Sequence, residues 1–217
     1  ENRPGCVVWC MGGTQHTTGN NNTRAYCILE LALGNMGKAG GGANIFRGHD
    51  NVQGATDFGV LSDNLPGYYG LSEGAWKHWA GVWDVDYEWL KGRFDQADYR
   101  GKKPMNNAGI PVSRWIDGVL IPEDKIDQPE NVRGMIFWGH APNSQTRLPE
   151  MKKAMEKLDT MVIVDPYPTV SAVLSDRTDG VYLLPAATQF ETYGSCTASN
   201  RSLQWREKIV EPLFESK

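Results

Sequence analysis

The stretch that most constrains this chain runs from residue 132 to residue 185. Val132–Phe137 reads as a strand, Pro149–Leu158 as a helix with proline at its start, and Met161–Val164 as a second strand ending at Asp165. A short helix over Val170–Leu174 and a third strand over Val181–Leu184, stopped by Pro185, complete the run. Strands that alternate with helices predict a parallel sheet with helical crossovers. The β-branched run Val162-Ile163-Val164 fits a strand buried on both faces. Pro166 removes the next ladder donor, so the strand ends at Asp165. Right-handed crossovers place the carboxyl ends of successive strands on one edge, where open α/β sheets bind ligands. Topology alone therefore nominates Gly139, His140, Asn143 and Asp165 as candidate site residues.

Upstream, residues 5–10 predict a short buried strand, followed by a polar loop from Met11 to Gly19. Asn20-Asn21-Asn22-Thr23 offers N-caps for a helix with Ala25, Ile28, Leu29, Ala32 and Leu33 at helical spacing. Gly34 suits the residue just past its end. The Gly-rich loop 34–48 is no dinucleotide fingerprint, because it lacks the GxGxxG spacing and follows a helix where that fingerprint follows a strand. Residues 62–128 read as irregular, with one helix near 73–91 that places Trp76, Trp79, Trp83 and Leu90 on one face. Such a face docks onto its own core or serves as a subunit interface, where tryptophan is enriched.

Composition narrows the function classes. A net charge of −4 without a basic run argues against nucleic acid as a partner. No apolar stretch approaches the ~20 residues a membrane helix needs. The opening Glu1-Asn2-Arg3-Pro4 is polar and is no signal peptide, and the lack of an initiator methionine leads us to expect a longer parent. With 40% apolar and 22% charged residues the chain is expected to fold. The 24 glycines and 8 tryptophans suit either close contact with a large cofactor or partner, or a loop-rich domain with an aromatic core. Cys6-x-x-x-Cys10 has the look of half a metal site. It lies in the apolar run Cys6-Val7-Val8-Trp9-Cys10, and buried structural thiols are the favoured reading over a zinc or iron–sulfur site. No metal ligand is therefore assigned within the chain.

The segment Ile45-Phe46-Arg47-Gly48-His49-Asp50-Asn51-Val52-Gln53-Gly54 resembles the Arg-Gly-x-x-Asn-x-Gln-Gly signature of molybdenum formate dehydrogenases. Its surroundings are similar as well: Thr14-Gln15-His16, Leu33-Gly34-Asn35-Met36-Gly37 and Gly40-Gly41-Gly42 before it, Thr56-Asp57 and Leu65-Pro66-Gly67-Tyr68 after it. Farther on stand Val164-Asp165, Leu184-Pro185-Ala186, Glu191, Gly194, Arg201 and Gln204. One departure is Ala198, where the closing motif of that family usually has asparagine; its neighbours Ser199 and Asn200 would substitute. The resemblance implies a fold of the dimethyl sulfoxide reductase superfamily, a doubly wound, mainly parallel α/β sheet that binds molybdopterin guanine dinucleotide. Residues 1–48 would form the end of one such domain with its Gly-rich active-site loop. Residues 49–217 would form a second, with 62–128 as an irregular insertion.

The resemblance further implies a bis-molybdopterin guanine dinucleotide cofactor carrying molybdenum or tungsten. The metal-ligating cysteine or selenocysteine and an iron–sulfur cluster would lie upstream of residue 1. Partners would then be formate, the remainder of the catalytic subunit and an iron–sulfur electron-transfer subunit, with this chain inactive alone. Arg47 reads as the formate clamp, since its planar fork binds a carboxylate bidentately and keeps its charge when buried. Gly48 lets backbone approach a bulky cofactor, and His49 would orient formate or manage a proton. Asp165 would accept hydrogen bonds from a guanine edge, a role compatible with its place in a turn. Gly139 and Asn143 would meet pyrophosphate or ribose, and Gly12, Thr14 and Gln15 the other cofactor. A nitrate reductase type of oxidoreductase, or a scaffold relative that has lost its metal, are the alternatives. The resemblance is to the exported, respiratory type, which implies a periplasmic location rather than a cytoplasmic one.

Overall fold

The computed structural model describes residues 4–94, 104–107, 109–111, 114–126, 128, 130–140 and 147–217. In chain order the elements are β1 (Cys6–Trp9), α1 (Met11–Thr14), α2 (Gly19–Ala32), β2 (Gly42–Ile45), α3 (Val52–Asp57), α4 (Glu73–Val82), α5 (Tyr87–Gly92) and α6 (Trp115–Leu120). There follow β3 (Gly134–Trp138), α7 (Leu148–Lys157), β4 (Thr160–Asp165), α8 (Val170–Val173), β5 (Val181–Pro185), β6 (Gly194–Thr197) and β7 (Leu203–Arg206). Packing divides the chain into two units. One comprises Glu1–Phe58 with Ser195–Trp205, the other Gly59–Gly194 with Arg206–Lys217. No described helix is long and apolar enough to cross a membrane.

In the first unit β1 and β2 pair in parallel, with Cys6 opposite Gly42 and Trp9 opposite Ile45. The predicted loops at 11–19 and 34–48 thus contain one helical turn and one strand. Helix α2 starts earlier than expected, with Thr18 as its N-cap and no side-chain cap bond. Its end is a Schellman closure: Gly34 has φ +67, its amide donates to Leu31, and the Asn35 amide donates to Glu30. The apolar stripe of α2 does not face the core. Ile28 is 60% exposed and Leu29 49%, whereas Glu30 is 2% exposed. The sheet side carries Tyr26, packed on Trp9 with ring centroids 5.2 Å apart, and Asn22, whose amide donates to the Gly13 carbonyl. Nor is β1 a buried strand: Val8 is 41% exposed, and Cys6 is exposed rather than a buried structural thiol. All four cysteines are free, and among the described residues no three His, Cys, Asp or Glu side chains cluster as metal ligands.

In the second unit β3, β4 and β5 form a parallel sheet in that order. This is the mixed, mainly parallel α/β architecture expected from the strand–helix alternation. Helices α6 and α7 bury Ile116, Val119, Met151, Ala154 and Met155 against Phe137, Met161 and Ile163, and Ala172 and Leu174 at α8 pack on the same cluster. Each fully buried Ile, Val, Met or Phe side chain of this set contributes about 1.5–3 kcal/mol. Asp117 ties α6 to α7 through Arg147, 2.7 Å away, with Arg114 as a second partner. The Arg147 hydrogen bond is the main cause holding the Asp117 carboxyl below its ordinary range.

The other face of this sheet is open. The register aligns Ile136 with Val162 and Tyr182, and Trp138 with Val164 and Leu184. Trp138 is 77% exposed and Ile136 64%, while the two valines are half-buried. The predicted helix over 73–91 is two helices. Asp84, at φ 54, closes α4 by the same two-bond pattern a glycine usually makes: its amide donates to Gly81 and the Val85 amide to Ala80. Trp76, Trp79 and Leu90 join a core with Leu65 and Met105, and the Trp76 indole donates to the Met105 carbonyl at 3.0 Å. Trp83 remains exposed, with its ring beside that of Trp79 at a centroid distance of 5.6 Å.

Candidate functional site

Two sets of candidate residues emerge, one in each unit. In the first, chain leaving the carboxyl ends of β1 and β2 carries Gly12, Thr14, Gln15, Arg47 and His49. The Phe46 amide donates to Trp9, extending the ladder by one bond, and the next residue is Arg47. A Cβ at Gly48 would lie 3.3 Å from Met11 Cε, so α1 and the Arg47 loop touch. The Thr14 hydroxyl donates to the Cys10 carbonyl, and Gln15 reaches back to the Met11 sulfur. His49 is exposed on the same loop.

The loop from Arg47 to Asp57 locks itself. Arg47 is half-buried, and its Nη1 donates to Thr56 Oγ1 at 2.8 Å and to the Val52 carbonyl at 3.5 Å. Asn51 adopts φ 56, a left-handed conformation that asparagine tolerates better than most residues. Its Oδ1 accepts from the Thr197 amide at 3.0 Å. A Cβ on Gly54 would lie within 2.9 Å of Asn51 Cγ and 3.1 Å of Thr197 Oγ1, so only glycine fits beneath that side chain. Gln53, 5% exposed, donates to Asp57 at 2.8 Å, and Arg201 approaches the same carboxylate at 3.7 Å. The Arg47 amide donates to Ser199 Oγ at 3.2 Å. Ser199 thus fills a structural role beside the departure at Ala198, while Asn200 caps the local turn by accepting from the Ser202 amide. Thr56 stood within the surroundings of the signature, nine positions from Arg47, but without a role assigned to it; Thr197 had no signal as a partner of the loop, because the Asn51–Thr197 bond joins residues 146 positions apart.

In the second unit, Gly139 and Asp165 come together at the carboxyl edge of the three-stranded sheet. Trp138 pairs with Val164, the Gly139 amide donates to the Val164 carbonyl at 2.9 Å, and Asp165 follows directly. Gly139 has φ +58 with no atom of the described residues within 4 Å of where a Cβ would stand, and Asp165 is half-buried beside it. The His140 carbonyl accepts from the Ser171 hydroxyl at 2.8 Å, anchoring the loop that leaves β3. Asn143 lies outside the described residues. Past β5, Glu191 is 7% exposed. The Thr188 amide foremost, then the Thr188 hydroxyl and the Leu213 amide, hold its carboxyl below the ordinary range.

Parallel strands whose carboxyl edges carry the candidate residues put the chain in the class of open α/β sheet proteins. The pattern of the molybdopterin oxidoreductase family matches residues 2–217, and the chain belongs to that family. It is 30% identical, over 97% of its length, to formate dehydrogenase 2 subunit alpha (cytochrome c-553) of Nitratidesulfovibrio vulgaris. It is 31% identical over 97% of its length to the F420-dependent formate dehydrogenase subunit alpha of Methanocaldococcus jannaschii, and 31% over 98% to the probable oxidoreductase YjgC of Bacillus subtilis. The chain spans 24%, 27% and 19% of those proteins respectively.

Proposed function

We propose that this chain supplies the formate clamp and a guanine-dinucleotide seat of a molybdopterin formate dehydrogenase. The observation that carries the reading is Arg47, a half-buried guanidinium fixed by Thr56 on a loop at the carboxyl edge of β1 and β2. A planar guanidinium in a fixed orientation suits a small carboxylate, which it binds through two parallel hydrogen bonds. Formate oxidation to carbon dioxide releases one proton and two electrons, so the anion must be held with its C–H directed away from the clamp. His49, exposed on the same loop two residues beyond Arg47, would take up the proton.

The residues present fit a molybdopterin guanine dinucleotide. Asp165 offers a half-buried acceptor pair for a guanine edge, and Gly139, clear of the other described residues where a Cβ would stand, suits pyrophosphate or ribose. Gly12, Thr14 and Gln15 would border a second dinucleotide. When bound, the molybdenum or tungsten centre supplies the two-electron acceptor. The electrons would leave through iron–sulfur centres of the remaining polypeptide and of a partner subunit, in a periplasmic complex.

The test is a pair of variants in the metal-loaded enzyme. Arg47→Lys keeps the charge and loses the fork. Turnover is expected to fall at least ~100-fold, about 2.7 kcal/mol of transition-state stabilisation, at unchanged metal content. Asp165→Ala is expected to lower guanine dinucleotide content while Arg47→Lys does not. Normal turnover in the first variant, or full cofactor content in the second, removes the corresponding assignment.

A further inference from the structure

We infer that Thr56 is a positioning residue that selects which edge of the Arg47 guanidinium meets the substrate; this rests on the reading of Arg47 as the formate clamp. A guanidinium can grip a carboxylate through its Nη1/Nη2 end or through its Nε/Nη2 side. Among the described residues, both bonds to the group engage Nη1: Thr56 Oγ1 at 2.8 Å and the Val52 carbonyl at 3.5 Å. The Nη1/Nη2 end is therefore tied to α3, and the Nε/Nη2 side is the fork left to receive an anion.

The direction of the Arg47–Thr56 bond is fixed by the guanidinium, which carries only donors, so the Thr56 oxygen accepts. The Thr56 hydroxyl lies 3.0 Å from both the Val52 and the Gln53 carbonyls. That pair can take its single proton while the oxygen accepts from Arg47. Arg47 cannot rotate away without stranding a half-buried acceptor, and cannot approach closer without meeting the helix backbone. Thr56 itself is held, because Gln53 and Asp57 of α3 are bonded to each other and Asp57 to Arg201. The signature residues from Asn51 to Gly54 build and orient α3. On this account their purpose is to present one hydroxyl to one guanidinium nitrogen.

The experiment compares Thr56→Val, Thr56→Ser and Arg47→Lys in the metal-loaded enzyme. Valine conserves the branched shape and removes the hydroxyl, while serine restores the hydroxyl without the methyl group. Thr56→Val is expected to raise the formate KM about tenfold, the equivalent of about 1.4 kcal/mol. The KM for the electron acceptor and the melting temperature should stay close to wild type, and Thr56→Ser should return formate KM to near wild type. A readout independent of turnover is phenylglyoxal labelling of Arg47, followed by mass spectrometry on the chain without metal. Labelling should be faster in Thr56→Val than in wild type or Thr56→Ser. If Arg47→Lys is impaired but Thr56→Val has wild-type formate KM and labelling, the positioning role is refuted and the clamp stands. If Arg47→Lys is itself unimpaired, the clamp reading fails and the inference with it. If Thr56→Val loses melting temperature and the kinetics toward both substrates together, Thr56 is only a structural residue and the inference is overturned.

Discussion

Replacing Gly54 by alanine sets two effects of similar size against each other, and the structure predicts how to separate them. Gly54 lies in the middle of α3, where alanine is favoured over glycine by about 1 kcal/mol. The added methyl would sit within 2.9 Å of Asn51 Cγ, so the Asn51 side chain must leave. Its hydrogen bond from the Thr197 amide goes with it, at about 1 kcal/mol, and more if the amide stays unsatisfied. Gly54→Ala alone should therefore change stability little, or destabilise by about 1 kcal/mol. In an Asn51→Gly background the obstruction is gone, φ 56 remains accessible, and the bond to Thr197 is already lost. There Gly54→Ala should stabilise by somewhat less than about 1 kcal/mol, the helix preference reduced by the 3.1 Å contact with Thr197 Oγ1. The cycle should show a coupling of about 1–2 kcal/mol and a change of sign. Urea denaturation of the four proteins measures it, and hydrogen exchange at the Thr197 amide reports the bond directly. Additivity within about 0.5 kcal/mol would falsify the lock described for this loop.

Two further outcomes follow from side chains outside the loop. Asp84→Gly should stabilise by about 0.5–1 kcal/mol, because glycine adopts the left-handed closure of α4 without the strain of a Cβ, and a melting temperature unchanged or lowered would count against it. Glu191 has its folded pKa depressed, so its contribution is present above the unfolded value of about 4.3 and is lost as pH falls through the lower folded value. Glu191→Gln should flatten stability against pH below about 5, and parallel acid unfolding curves for variant and wild type would contradict this.

The sheet of the second unit was legible because its strands are short apolar runs, β-branched in β4, ended by Asp165-Pro166 and Pro185, with Pro149 at the start of the intervening helix. The division between α4 and α5 was not. The chain turns at Asp84 with no glycine or proline to mark it, so tryptophan periodicity carries straight across the break. For α2 the pattern identified the helix but misjudged its buried side. Periodicity shows that Ile28 and Leu29 share a face; it cannot show that Tyr26 and Asn22 make the contacts to the sheet side. Arg47 stood out through the signature around it. The bonds from the Arg47 amide to Ser199 and from the Thr197 amide to Asn51 were invisible, because hydrogen bonds between residues so far apart in sequence leave no spacing to read.

The open face of the β3–β5 sheet makes stability a function of what else is in solution. Rows such as Ile136-Val162-Tyr182 exist only when the strands are paired, so a surface that covers them binds the folded chain and not the unfolded one. Mass action then applies: a covering surface at a hundred times its dissociation constant adds about 2.7 kcal/mol. With such a surface present, the melting temperature of this chain should rise with the concentration of that surface.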